Sequence, residues 1–207
     1  MNEIVMLNEA RLSEAVDTLC QADAQLRSVV EQYGSPPLWA REPGFPTLIH
    51  IILEQQVSLA SAKACFDKLK LALPELNPEA FLTLNDKNLL QIGFSRQKTR
   101  YSRILAKAIN DGALDIDSLI LSSDEMVTLK LTALTGIGPW TANIYLLMAL
   151  GRPDIWPAGD LALEVALQKL LGLPHRPKGD EFQLLGDTWR PYRAVAARIL
   201  WHYYLSQ

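Results

Sequence analysis

Residues that hold metal clusters are scarce in this chain. Its 207 residues include two cysteines, Cys20 and Cys65, far apart and each inside a helical pattern. That is too few for an iron–sulfur cluster held by four thiolates, and neither a zinc spacing nor a disulfide framework is present. Three scattered histidines add no metal motif. No apolar run approaches the roughly 20 residues of a membrane-spanning helix, so no membrane association is expected. Glu3, Asn8 and Glu14 stand among the apolar residues of the N-terminus, unlike a signal peptide. Strand alternation is missing, as are repeats of roughly 20–50 residues. Positive charge is not in excess: 20 Lys and Arg face 23 Asp and Glu, for a net charge of −3. A uniformly basic surface is therefore excluded, and any anion-binding role must rest on a local patch.

What is there is ordinary for a globular protein. Apolar residues make up 49% and charged residues 21%, enough for a sizeable core in one large domain or two small ones. The spacing of Leu12, Val16 and Leu19, then of Leu26, Val29, Val30 and Tyr33, predicts two short helices over 9–33, stopped by Gly34. Pro46 reads as the first position of one long, buried helix running to about Leu73. Glu54-Gln55-Gln56-Val57-Ser58 interrupts its apolar run; an exposed face and the lining of a site both fit. Pro78 starts a short helix, and Asp86 caps another that Gly93 stops. Further helices are expected from Ser122-Ser123-Asp124-Glu125 to near Leu134, Trp140 to Leu150, Asp160 to Leu171, Asp180 to about Trp189, and Pro191 to the C-terminus. The fold class is all-α.

Three stretches carry chemistry. From Lys87 to Asn110 the chain has Lys87, Arg96, Lys98, Arg100, Arg103 and Lys107 and no acid. This is either a solvated face or a phosphate contact; the turn Gly93-Phe94-Ser95 opens it, and Tyr101 shares a helix face with Lys98. Next, Leu134-Thr135-Gly136-Ile137-Gly138-Pro139-Trp140-Thr141-Ala142 joins two helices. Its glycines admit positive φ, so successive N–H groups and a helix N-terminus can cradle a phosphate. Last, Trp156-Pro157-Ala158-Gly159 leads into Asp160 at the start of a helix. Aspartate there is a favoured N-cap, and it is equally a carboxylate suited to stabilising a cation.

Taken together these strings resemble the helix–hairpin–helix (HhH-GPD) DNA glycosylase superfamily over nearly the whole chain, and within it the 3-methyladenine DNA glycosylase II family. The resemblance rests on Leu53-Glu54-Gln55-Gln56-Val57-Ser58, on Gly93-Phe94-Ser95-Arg96-Gln97-Lys98-Thr99-Arg100-Tyr101, on the hairpin with Asp160, and on Trp189-Arg190-Pro191-Tyr192-Arg193. It implies two helical subdomains, one of about 35–150 and one of about 1–34 with 151–207, with the active site in the cleft between them. The mixed α/β N-terminal domain of the larger bacterial enzyme is expected to be lacking. The implied activity is hydrolysis of the N-glycosidic bond of a flipped-out alkylated purine, such as 3-methyladenine or 7-methylguanine, in double-stranded DNA.

Residue by residue, the resemblance makes Asp160 the catalytic carboxylate, stabilising an oxocarbenium-like sugar while a cationic base leaves. It places Trp140, Trp201, Tyr192 and Phe45 in the base pocket, where electron-rich faces favour a cationic base; core packing is the alternative for the tryptophans. Gln55, Gln56, Ser58, Ser95, Lys98, Tyr101, Gly136, Gly138 and Thr141 would bind DNA, with Gln56 as the wedge that fills the gap left by flipping. Where the larger bacterial enzyme of the family carries an aromatic two residues after the Ala of its hairpin helix, this chain has Ile144, with Tyr145 next. In the lyase-active branch, such as endonuclease III, a lysine holds the position of Trp140, so this chain resembles a monofunctional enzyme. No cofactor is required and no iron–sulfur cluster is expected; the family hairpin can hold Na+ or K+ on carbonyls that fall at Thr132, Leu134 and Ile137. The expected partner is damaged double-stranded DNA, bound by a monomer in the cytoplasm at the nucleoid, or in the nucleus of a eukaryote. Two other readings stay open: the same fold acting on ethenoadenine, hypoxanthine or uracil, and a non-catalytic DNA-binding module.

Overall fold

Polar caps and glycines divide the chain into helices. The computed structural model describes residues 5–207; Glu3 and the expected start of a subdomain at residue 1 lie outside the described residues. Asp23 separates α1 (Glu9–Ala22) from α2 (Ala24–Tyr33). Its Oδ1 accepts the N–H groups of Gln25 and Leu26, which α2 would otherwise leave orphaned.

The single long helix expected from Pro46 to about Leu73 is in fact two, α3 (Phe45–Glu54) and α4 (Leu59–Ala72). Gln56 takes the left-handed region at φ 56°, which no helix interior tolerates, and the Ser58 side chain caps α4 on the N–H of Ser61. Phe45, not Pro46, is the first residue of α3. There follow α5 (Pro78–Thr83), α6 (Asp86–Ile92) and α7 (Arg96–Asn110). The cap of α6 is Asn85 rather than the expected Asp86, because Asn85 and Asn88 accept each other's backbone N–H in a reciprocal box. An unforeseen 3₁₀ turn (Asp117–Leu121) precedes α8 (Asp124–Thr132). Beyond it, α9 (Pro139–Ile144) runs into a π-helical turn (Tyr145–Ala149). Last come α10 (Leu161–Leu170), α11 (Gly179–Asp187) and α12 (Arg193–Leu205). The start of α12 falls at Arg193 instead of Pro191, where the distant Asp154 accepts the Arg193 N–H. No strand occurs among the described residues, so the fold is all-α.

The helices form two compact units, residues up to Ala40 with Leu146–Gln207, and Arg41–Tyr145. In the first, α12 is the axis: Ala194 to Trp201 are all buried, against α10, α2 and α1. Arg198 is fully buried and donates to the carbonyls of Leu38, Ala194 and Leu147. The Leu147 carbonyl lies within the π turn, and the guanidinium donates to it from far along the chain. Burial pulls the Arg198 pKa down to about 10.

In the second unit the axis is α3, whose Leu48 to Leu53 are buried apart from the half-exposed His50. Its last residue, Glu54, is held by a bidentate Arg41 at 2.7 and 3.0 Å, the geometry in which a buried carboxylate is best compensated. His50 stacks flat on Phe66 and lies 3.7 Å from Glu54. Burial lowers the His50 pKa, with Glu54 opposing and Arg41 assisting. A folded-state value below the unfolded one means the unfolded chain binds the proton first, so stability is lost as pH falls below about 6.5 and through the folded value. His50→Phe keeps the stacked ring and is expected to lose less melting temperature than the wild type between about pH 7.5 and pH 5. Parallel loss in both proteins would remove His50 as the source.

Candidate functional site

The hairpin between α8 and α9 is built around one left-handed residue. Gly136 has φ 99°, while Gly138 is extended (φ −93°, ψ 178°) and serves as the N-cap of α9. Only the first glycine therefore uses positive φ, contrary to the expectation for both. A Cβ on Gly136 would run into the Tyr101 ring, whereas one on Gly138 would meet no atom within 4 Å. Tyr101 is thus packed onto the hairpin backbone, with its hydroxyl accepting from Gln97 Nε2 at 2.7 Å.

Three of the four sequence motifs meet at this turn. Gln55 Nε2 donates to the Gly136 carbonyl and to Thr141 Oγ1, both at 3.0 Å, so both its N–H bonds brace the α3–α4 turn against the hairpin. Lys98 Nζ donates to the carbonyl of Leu53 at 2.5 Å, closing the C-terminus of α3. Burial lowers the Lys98 pKa. Gln56, Val57, Ser58, Ser95 and Gly138 are left exposed around them. A cavity of about 260 Å³ is lined by Gln55 and Gln56 of the turn together with Cys65, Ser95 and Lys98. Sequence reasoning placed Gln55, Lys98 and Tyr101 at an interface but missed that each braces the turn. Gln55→Ala is expected to cost about 1–3 kcal/mol, because Thr141 is buried and two bonds are lost. The check is a lower urea midpoint at unchanged m-value.

Asp160 sits in the other unit, at the N-cap of α10 and 7% exposed. The turn before it uses Gly159 at φ 80°. Asp160 Oδ1 accepts the N–H of Leu163 at 3.0 Å and the indole N–H of Trp201 at 3.1 Å. The capping and the site readings of this residue are therefore compatible. One turn further along α10, the buried Glu164 approaches Arg176 at 3.9 Å, a second carboxylate that the sequence did not flag. The fourth motif proves to be largely scaffold. Trp189 Nε1 donates to Asp23 Oδ2, and Arg193 grips Asp154 and Asp187, while Tyr192 is half-buried at the head of α12.

The remaining expected pocket aromatics differ in setting. Phe45 is buried edge-on against Phe81 in the core of its unit. Trp140, second residue of α9, is half-exposed. Ile144 and Tyr145 are both buried, and the Tyr145 hydroxyl accepts the Gly44 N–H at 3.0 Å. Tyr145 therefore lies in the core and does not replace the aromatic missing at 144. At the hairpin, the Leu134 carbonyl accepts the N–H of Ile137 at 3.1 Å.

Residues 49–191 match the model of the HhH-GPD superfamily base excision DNA repair proteins. Among curated relatives, YfjP of Bacillus subtilis is 28% identical over 184 residues, covering 85% of this chain and 64% of its own length. The alkylbase DNA glycosidase-like protein mag2 of Schizosaccharomyces pombe is 27% identical, covering 95% of each chain. Among solved structures, the 3-methyladenine DNA glycosylase Mag1 of Schizosaccharomyces pombe, in complex with abasic DNA, superposes with a TM-score of 0.85 at 26% identity, over 91% of this chain and 95% of that one. With that match over most of its length, the chain belongs to the HhH-GPD superfamily of base excision DNA repair proteins.

Proposed function

We propose that this chain is a monofunctional DNA glycosylase that hydrolyses the N-glycosidic bond of alkylated purines in duplex DNA. The observation that carries the reading is Asp160: a buried carboxylate, fixed by a helix N–H and an indole N–H, in a family of base excision proteins. The names of mag2, an alkylbase DNA glycosidase-like protein, and Mag1, a 3-methyladenine DNA glycosylase, support the substrate class. In this reading the flipped nucleotide brings its sugar beside Asp160. As the cationic base departs with the electron pair of the glycosidic bond, positive charge moves to the sugar and the fixed carboxylate stabilises it until water adds at the anomeric carbon and gives up its proton to solvent. Such a base needs little acid assistance, so one carboxylate suffices. Trp201 and Tyr192, in the same unit as Asp160, would bound the base. The extended Gly138 and the exposed N-terminus of α9 would take a backbone phosphate, and Gln56 would fill the gap in the stack.

Position 140 holds an indole where a lyase would need an amine, so no Schiff base with the sugar can form there. No cofactor enters this mechanism. Na+ or K+ suits the hard oxygen donors of Thr132, Leu134 and Ile137, where it would steady the hairpin. The test is one set of duplexes carrying 3-methyladenine, 7-methylguanine, ethenoadenine, hypoxanthine or uracil. Release of the two methylated purines is expected, with no strand cleavage and no borohydride trapping on abasic DNA. Efficient trapping would overturn the monofunctional assignment, and release of uracil or hypoxanthine alone would overturn the substrate class.

A further inference from the structure

We propose that Trp201 is a positioning residue for the Asp160 carboxylate, acting through its indole N–H. This rests on the reading of Asp160 as the carboxylate that faces the developing cation. Trp201 lies on α12 and Asp160 at the head of α10, 41 residues apart, and both are 7% exposed. The bond from Leu163 N–H anchors Oδ1 to its own helix, but one such bond by itself sets a distance rather than the plane of the carboxylate. A second donor, arriving on the same oxygen from a different helix, adds a constraint from another direction. Indole suits this role because it donates only, cannot ionise, and is rigid along its whole length. The dependence is mutual, since a buried indole N–H left without a partner is itself destabilising. Trp201 therefore does something that a pocket wall made only of aromatic surface would not do. Its N–H holds the plane of the negative charge, and pre-set orientation is what makes an electrostatic group effective at the moment of bond breaking.

The experiment uses the full chain and two abasic duplexes that contain no base for Trp201 to stack on: a cationic pyrrolidine analogue and the neutral tetrahydrofuran analogue. The wild-type chain is expected to prefer the cationic duplex, and Asp160→Asn to abolish that preference. Trp201→Phe keeps an aromatic face and loses the donor. It is expected to weaken binding of the pyrrolidine duplex about tenfold, with tetrahydrofuran affinity changed less than about twofold. Replacing Trp201 by 3-benzothienylalanine, which preserves the bicyclic shape and removes only the N–H, should give the same selective loss and guards against misfolding of the phenylalanine variant. Equal loss on both duplexes, or none on either, would overturn the positioning role. If Asp160→Asn removes the cationic preference but neither Trp201 variant does, the positioning role falls and the reading of Asp160 stands. If the wild type shows no cationic preference, both fall.

Discussion

Asp160→Asn is expected to release 3-methyladenine from duplex DNA at least about 100-fold more slowly than the wild-type chain in single-turnover assays. Asparagine keeps the short side chain and an oxygen in the place of Oδ1, so the bonds from Leu163 N–H and Trp201 Nε1 can persist and α10 keeps its cap. What is removed is the charge, while the second carboxylate oxygen becomes an amide NH2. Melting temperature and affinity for undamaged duplex should therefore hold while excision collapses, which separates a chemical role from a capping role. A variant that excises at the wild-type rate would sink the mechanism. If neither protein excises but both bind DNA, the chain is a binding module.

The second large effect is a contrast between two glycines on either side of Ile137. Gly136→Ala puts a Cβ into the Tyr101 ring at a backbone of φ 99°, and the ring cannot retreat without leaving the hairpin. Strain and overpacking together should cost about 2–4 kcal/mol, read as a lower urea midpoint. Gly138→Ala meets nothing inside the protein and has an ordinary φ of −93°, so stability should change by less than about 1 kcal/mol. Under the proposed function its methyl would instead occupy the space that a backbone phosphate would take at the α9 N-terminus. DNA affinity is expected to drop at least about tenfold with little change in melting. Undiminished DNA binding by Gly138→Ala would remove the hairpin from the interface.

Some helix boundaries were legible from residues that act locally, though the caps Asn85 and Ser58 were not. Ser123 and Asp160 cap α8 and α10 on N–H groups three residues on, and Gly34 and Gly93 end helices at positive φ. The break at 55–58 was not legible, because Gln56 is no glycine and nothing beside it announces a left-handed residue. What accompanies the break is remote: Lys98 closing α3 and the hairpin accepting both N–H bonds of Gln55. The π turn was hidden for a similar reason, as Arg198 reaches the Leu147 carbonyl from far along the chain.

The stretch around Asp160 shows where that boundary lies. Composition and spacing by themselves determined an all-α chain and several of its helix ends, and the resemblance of the motif strings pointed to its superfamily. Only tertiary structure decided which motif residues brace and which stand exposed: Gln55, Lys98 and Tyr101 turn inward, whereas Gln56, Ser58, Ser95 and Gly138 do not. It also decided that Asp160 caps its helix and receives the indole of Trp201 on the same oxygen. The physical reason is range. A cap or a glycine acts within about one turn of helix, while a hydrogen bond between side chains far apart in sequence exists only once the helices that carry them have packed.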